Sequence, residues 1–232
     1  MVWLCGVDGF KSEWCAVLRR LDTHEFIVHV LPFKGLLNLP GNPKIIAVDL
    51  PIGLPEVTLP GGRTCERLAR ERLGWHRARS VFSAIGRRAL DATTRVQADR
   101  LSREKGGIGI GAQTWGLAKK LREVDAVMTP ARQRVIREVH PELSFREMVG
   151  RPLNYGKKAG AGSQERIAAL IEQGFPALFV QTKPNGLRVG HDDFLDACAA
   201  LWTAERIYRG TAKRFPPIPE CDARGLDMAI WF

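Results

Sequence analysis

Two aspartates follow directly on apolar segments of this chain. Asp8 comes after the run VWLCGV, and Asp49 comes after the run IIAV and just before a segment rich in proline and glycine. A carboxylate in an apolar strand costs several kcal/mol unless it is hydrogen-bonded, paired or bound to a metal ion. Metal binding is one chemistry that would justify both residues, since Mg²⁺ takes one or two carboxylates together with waters and phosphate oxygens. The alternative for each is that it caps a turn through its own backbone.

Further aspartates cluster near the C-terminal end of the sequence. The segment from Asp192 to Arg209 has the pattern of a helix that is capped by Asp192 and ended by Gly210. Asp193 and Asp196 share one face of this helix, and that face continues with small residues, namely Ala197, Ala200 and Ala204. Small residues let a helix lie close to a sheet, so we expect the Asp193 and Asp196 carboxylates to reach the ends of its strands.

Five short segments rich in β-forming residues would position these side chains. They are residues 2–7, 14–18, 26–31, 45–48 and 135–140. Short gaps between the first three predict an antiparallel meander, and the fourth is apolar throughout, as is typical of a buried central strand. If the first and fourth strands are parallel neighbours, about 4.8 Å apart, Asp8 and Asp49 can share a metal ion. Glu138 lies in the fifth strand and is a further candidate ligand.

The middle of the chain, about residues 56–132, is predicted to be helical. Thr64 is the predicted cap of one helix, which runs to Leu73 with Gly74 just past its end, and a later helix is predicted from Ser163 to Gln173. No linker rich in proline or serine flanks residues 56–132. We therefore expect residues 1–232 to form a single domain with a helical insertion after the fourth strand.

The charge of the chain favours a polyanionic partner. The formal net charge is +10 and the sequence pI is about 9.8, which favours nucleic acid, phosphorylated metabolites or acidic membranes. An arginine-rich proteome is the alternative explanation. Lys157 and Lys158, in a loop rich in glycine, are candidates for phosphate contacts, although a solvated loop explains them equally well.

The expected location is the cytoplasm. No stretch reaches the roughly 18 apolar residues of a membrane-spanning helix, and the N-terminus lacks the basic region of a signal peptide. Five scattered cysteines without a CxxC pair are typical of reduced, buried thiols. No membrane partner is expected. The oligomeric state is open, with a homodimer as one option.

In these acidic positions the sequence resembles the ribonuclease H-like superfamily, and HDDFLDACAALWTA is similar to the last helix of its Holliday-junction resolvases. A closer resemblance is to domain-of-unknown-function family 429, predicted to contain nucleases of that fold. The blocks that carry it are GVDGFKSEW, AVDLPIGLP, CERLARERLG, SVFSA, KKLREVD, EVHPELSF and DDFLDA. The resemblance implies an α/β fold with a five-stranded mixed sheet, order 3-2-1-4-5, flanked by helices.

The same resemblance implies roles for individual residues. Asp8, Asp49 and either Asp193 or Asp196 would be the metal ligands, although resolvases usually have Glu where this chain has Asp49. The residues implied to line the pocket are Glu138, Glu142 and Arg63.

The expected function is hydrolysis of phosphodiesters in nucleic acid with two Mg²⁺ or Mn²⁺ ions. Asp8, Asp49 and Asp193 would hold the ions, and Asp196 or Glu138 would complete the ligand set. His140 and His191 could assist proton transfer, but a lone histidine is more often structural. The strongest alternative is a catalytically silent module of the same fold that binds nucleic acid or a phosphorylated small molecule.

Overall fold

The computed structural model describes residues 1–184 and 186–232. Its strands are β1 (Trp3–Phe10), β2 (Glu13–Arg20), β3 (Phe26–Leu31), β4 (Ile45–Val48), β5 (Ile136–Glu138), β6 (Arg214–Cys221) and β7 (Asp227–Trp231). Its α-helices are α1 (Thr64–Leu73), α2 (Arg87–Leu90), α3 (Arg95–Arg103), α4 (Ala112–Gly116), α5 (Ala118–Asp125), α6 (Pro130–Gln133), α7 (Pro141–Val149), α8 (Gly160–Glu172), α9 (Ala177–Thr182) and α10 (His191–Tyr208). Short 3₁₀ helices lie at Phe33–Asn38 and Ala78–Ser80.

The main sheet has five strands in the order β3-β2-β1-β4-β5. Strand β1 pairs antiparallel with β2 and parallel with β4, and β4 pairs parallel with β5. The predicted strand order and the parallel pairing of the first and fourth strands are therefore confirmed. The predicted bounds are correct for β3 and β4, whereas β1 and β2 are longer than predicted and β5 is shorter.

Helix α10 packs directly on the centre of this sheet. A Cβ atom at Gly6 of β1 would lie 2.0 Å from the backbone nitrogen of Leu201, so only glycine allows this approach. All residues from Phe194 to Leu201 are buried, because α10 contacts α7 and α8 in addition to the sheet. The helix begins at His191 with Gly190 as its N-cap, so the predicted cap, Asp192, lies within the first turn.

The chain divides into two compact units. The first comprises residues 1–49, 135–213 and 231–232, and the second comprises residues 50–134 and 214–230. The sequence predicted one domain with an insertion at about 56–132, and that stretch falls within the second unit. Helix α1 of this unit ends at Leu73 as predicted, with Gly74 in a positive-φ conformation after it, but its N-cap is Arg63 and the predicted cap, Thr64, is its first residue.

The second unit also contains β6 and most of β7, a two-stranded sheet that the sequence did not predict. Strand β6 reads RFPPIPEC, and its three prolines argue against a strand because proline cannot donate to the ladder. The two-stranded sheet tolerates them, because β6 is an edge strand in it.

Two smaller predictions differ from the structure in one detail each. Helix α8 begins at Gly160 and not at Ser163, because the Gly160–Gly162 turn already adopts helical geometry. Four of the five free cysteines are buried, but Cys221 is exposed.

Among the described residues, no helix is long and apolar enough to cross a membrane.

Candidate functional site

Asp8 and Asp49 lie side by side at the carboxyl ends of two parallel strands. Val7 pairs with Val48, and the Asp49 amide donates a 2.9 Å hydrogen bond to the Val7 carbonyl oxygen. This register brings the two following residues, Asp8 and Asp49, together, and their side chains hydrogen-bond to each other. The two carboxyl groups are therefore close enough to interact directly.

Helix α10 brings the other two predicted aspartates to the same place. Asp193 lies in its first turn and Asp196 follows one turn later, with only 4% of Asp196 exposed. The negative charges of Asp196 and Asp193 both act on Asp8. The structure therefore groups all four aspartates that the sequence selected.

Burial and mutual repulsion shift the titration of this group. Burial raises the pKa of Asp8 well above its usual value, and the charges of Asp49 and Asp196 raise it further. Burial likewise raises the pKa of Asp49. Burial raises the pKa of Asp196 to about 6, although the nearby ammonium of Lys157 opposes the shift. Full ionisation of the four aspartates is therefore disfavoured unless a further cation is bound.

Lys157 supplies a positive charge inside this acidic group. Its Nζ donates a 2.7 Å hydrogen bond to Asp196 Oδ2, and the side chains of Lys157 and Asp196 are 40% and 5% exposed. Burial lowers the pKa of Lys157, but the charge of Asp196 more than offsets this, so the pKa is raised and the group stays cationic. The neighbouring Lys158 is exposed.

A buried arginine holds the loop that carries Lys157. Arg166 of α8 is 1% exposed and donates to Glu142 and to the carbonyl oxygens of Tyr155 and Gly162. A Cβ atom at Gly162 would lie 2.0 Å from the Gly156 carbonyl oxygen, so glycine is required where this loop rests on the helix. The role of Arg166 was not predicted from the sequence, where it follows Glu165 in the polar first turn of the predicted helix.

Three further predicted residues, Glu138, Glu142 and Arg63, have the following contacts and positions. Glu138 pairs with Val48 in the register, and because strand side chains alternate between faces, it points to the face opposite Asp49. Glu142 forms an ion pair with Arg166. Arg63 belongs to the second unit, where it is 1% exposed and donates to Glu66 at 2.7 Å and to two backbone carbonyl groups.

The two histidines have positions at the starts of helices. His191 Nε2 lies 2.7 Å from the Val180 carbonyl oxygen, and its ring stacks on Phe194. His140 is the N-cap residue of α7, and its charge acts on Asp49. A structural role thus accounts for His191.

The donor chemistry of the aspartate group fits a hard divalent ion. Among residues 1–184 and 186–232, no three His, Cys, Asp or Glu side chains are arranged as a complete metal-ligand set. Mg²⁺ does not need such a set, since it is commonly bound through one or two carboxylates, waters and substrate phosphates. The Asp8–Asp49 pair would supply two oxygen ligands to such an ion.

Fold and site together define an α/β protein with an acidic site at the ends of adjacent parallel strands, closed by one helix. The chain belongs to the family described as Protein of unknown function (DUF429), whose family model matches residues 6–221. This match confirms the family assignment made from the sequence blocks. Neither curated proteins nor solved structures include a match to the chain.

Proposed function

We propose that this protein is a metal-dependent phosphodiester hydrolase that acts on nucleic acid. The observation that carries the proposal is the contact between Asp8 and Asp49 on adjacent parallel strands, with Asp193 and Asp196 of α10 beside them. Buried carboxylates that repel one another are a costly arrangement for structure alone. The arrangement is explained if the group binds a cation during function.

Asp8 and Asp49 would hold Mg²⁺ or Mn²⁺, with Asp193 or Asp196 supporting them. Such an ion activates a bound water and neutralises charge on a phosphoryl oxygen. Hydrolysis forms a bond from the water oxygen to phosphorus, breaks one phosphorus–oxygen ester bond and leaves a proton on the departing oxygen. Lys157, exposed on one side, is placed to donate a hydrogen bond to a phosphate oxygen of the substrate.

The charge of the site also argues for a metal. The four aspartates outnumber the one lysine, so the net charge of the site repels a phosphodiester. An anionic substrate therefore needs an additional cation to enter. The chain as a whole is nevertheless basic, with 35 lysine and arginine residues against 25 aspartate and glutamate residues. A basic surface increases the local concentration of polyanions, which favours nucleic acid as the substrate class.

The Lys157–Asp196 ion pair also supports the alternative of a catalytically silent module. It reduces the negative charge of the site without any metal. A silent module would bind a phosphorylated ligand without hydrolysing it, and its stability would not depend on divalent ions.

The deciding experiment compares cleavage of bis(p-nitrophenyl) phosphate, single- and double-stranded DNA, and RNA, each with Mn²⁺, Mg²⁺ or EDTA. The wild type should cleave at least one of them only with a divalent ion. Asp8→Asn and Asp49→Asn should lose the activity, whereas Asp22→Asn, an exposed partner of Arg20, should keep it. Binding of a polynucleotide without cleavage under every condition would support the silent module.

We also propose a cytoplasmic location. All five cysteines are free thiols, and a reducing compartment maintains that state.

A further inference from the structure

Asp196 already has a cation of its own in the metal-free protein. The Lys157 ammonium lies 2.7 Å from Asp196 Oδ2, and its charge also acts on Asp8 and Asp49. The Lys157 ammonium therefore interacts electrostatically with Asp8 and Asp49 as well as with Asp196. A divalent ion bound at Asp196 would lie next to this ammonium and be repelled by it.

Hydrogen bonds to the preceding residues fix the position of Lys157. The loop before it is held at Asn154 and Tyr155, whose amides donate to the Glu165 carboxylate at 2.8 and 3.2 Å. The buried Arg166 binds the Tyr155 carbonyl oxygen from the other side. These contacts indicate that the loop holds Lys157 beside the aspartates, and that the lysine does not reach them by chance from a solvated loop.

We propose that Lys157 takes the place of a second metal ion, so that the site binds a single divalent ion at Asp8 and Asp49. The inference rests on the proposed function and changes its two-ion form, which the sequence led us to expect. Lys157 keeps Asp196 paired and offers its exposed side to a phosphate oxygen, while Arg166 and Glu142 act as positioning residues for the loop.

The test is the number of Mn²⁺ ions bound per chain, measured by isothermal titration calorimetry and by electron paramagnetic resonance of free Mn²⁺. The full-length wild type should bind one ion. Lys157→Met removes the competing charge, so it should bind a second ion or bind the first at least about tenfold more tightly. Lys158→Met, the matched control on the exposed neighbour, should behave like the wild type. Lys157→Arg retains the charge and should also bind one ion.

The outcomes separate this inference from the proposed function. Two ions in the wild type, or a Lys157→Met variant with unchanged stoichiometry and affinity, would overturn the inference and leave a metal-dependent hydrolase in place. If the wild type binds no Mn²⁺, the proposed function fails and the inference fails with it. The wild-type stoichiometry is decisive even if Lys157→Met does not fold, and circular dichroism of each variant checks folding.

Discussion

The backbone of Gly6 in β1 and that of Leu201 in α10 are in direct contact. A Cβ atom at Gly6 would lie 2.0 Å from the Leu201 nitrogen and 2.2 Å from the Ala197 carbonyl oxygen. Because both obstacles are backbone atoms, no side-chain rotation can relieve the clash. This contact sets how close α10 comes to the sheet, and hence how close Asp193 and Asp196 come to Asp8.

Gly6→Ala should therefore push α10 away from the sheet. We expect a loss of about 1–3 kcal/mol in the free energy of unfolding, as is usual for overpacked cores, together with weaker Mn²⁺ binding. Urea unfolding and a Mn²⁺ titration measure the two effects. Gly116→Ala is the control, since a Cβ atom there would have nothing within 4 Å, and it should change stability by less than about 1 kcal/mol. Unchanged stability in Gly6→Ala would contradict the packing described for α10.

Asp8→Asn should separate metal binding from a turn-capping role. The asparagine amide can still donate a hydrogen bond to Asp49, but the buried negative charge is removed. In EDTA the melting temperature of the variant should be equal to or higher than that of the wild type, because the repulsion among the aspartates falls. Added Mn²⁺ should raise the melting temperature of the wild type only, since a ligand that binds the native state stabilises it.

The comparison is a melting curve of each protein with and without Mn²⁺. Asp22→Asn should keep the full Mn²⁺ shift. Equal shifts in the wild type and in Asp8→Asn would remove Asp8 from the metal site.

The metal-free protein should gain stability from Asp196 as the pH falls. Its pKa in the folded state is about 6, above the value of about 3.9 for an unfolded chain. The contribution to stability is thus fully present below about pH 4 and is lost as the pH rises through about 6. The difference in unfolding free energy between the wild type and Asp196→Asn should therefore change, in favour of the wild type at low pH, by on the order of 1–3 kcal/mol between pH 7.5 and 5.

Urea unfolding of both proteins in EDTA measures this difference, and the subtraction removes the pH dependence of other carboxyl groups. A difference that stays constant with pH would show that Asp196 titrates normally. Saturating Mn²⁺ should reduce the pH dependence, because bound metal favours the ionised carboxylates.

Arg166→Met should be strongly destabilising. Removing one partner of a buried ion pair leaves Glu142 as an uncompensated buried charge, which typically costs about 3–5 kcal/mol. Arg151→Met is the matched control on the same loop: Arg151 pairs with Glu165 but its side chain is 52% exposed, so the expected loss is about 0–1 kcal/mol. Chemical denaturation compares the two, and similar losses would mean that the buried pair contributes no more than the exposed one.

If the substrate is nucleic acid, binding should weaken steeply with salt. For duplex DNA the logarithm of affinity should fall with the logarithm of salt concentration by about 0.9 per phosphate contacted. Fluorescence anisotropy with a labelled duplex in Ca²⁺, which replaces the catalytic ion, measures the slope between about 50 and 200 mM salt. Salt-independent affinity, or no binding at low salt, would point to a small phosphoester as the ligand.

Local patterns in the sequence were sufficient to predict the central strands and the first pair of aspartates. Strand β4 is a continuous apolar run bounded by turn residues, and its bounds were predicted correctly. Asp8 and Asp49 were identifiable because each follows such a run, and the meander of β1 to β3 restricts β4 to few positions in the sheet. Capping and stop residues likewise predicted α1 and α10 to within one residue at their ends.

Residues whose role depends on contacts distant in the chain could not be predicted in the same way. The pairing of Glu138 with Val48 decides which face of the sheet it joins, and a register change of one residue would reverse this. Likewise Lys157 was one of two adjacent lysines in a glycine-rich loop, and only Arg166 of α8 and Asp196 of α10 distinguish it from Lys158. Composition and spacing determined which residues are near strand and helix ends, whereas packing of α8 and α10 on the sheet decided which of them meet, because side-chain charges interact through space and not along the chain.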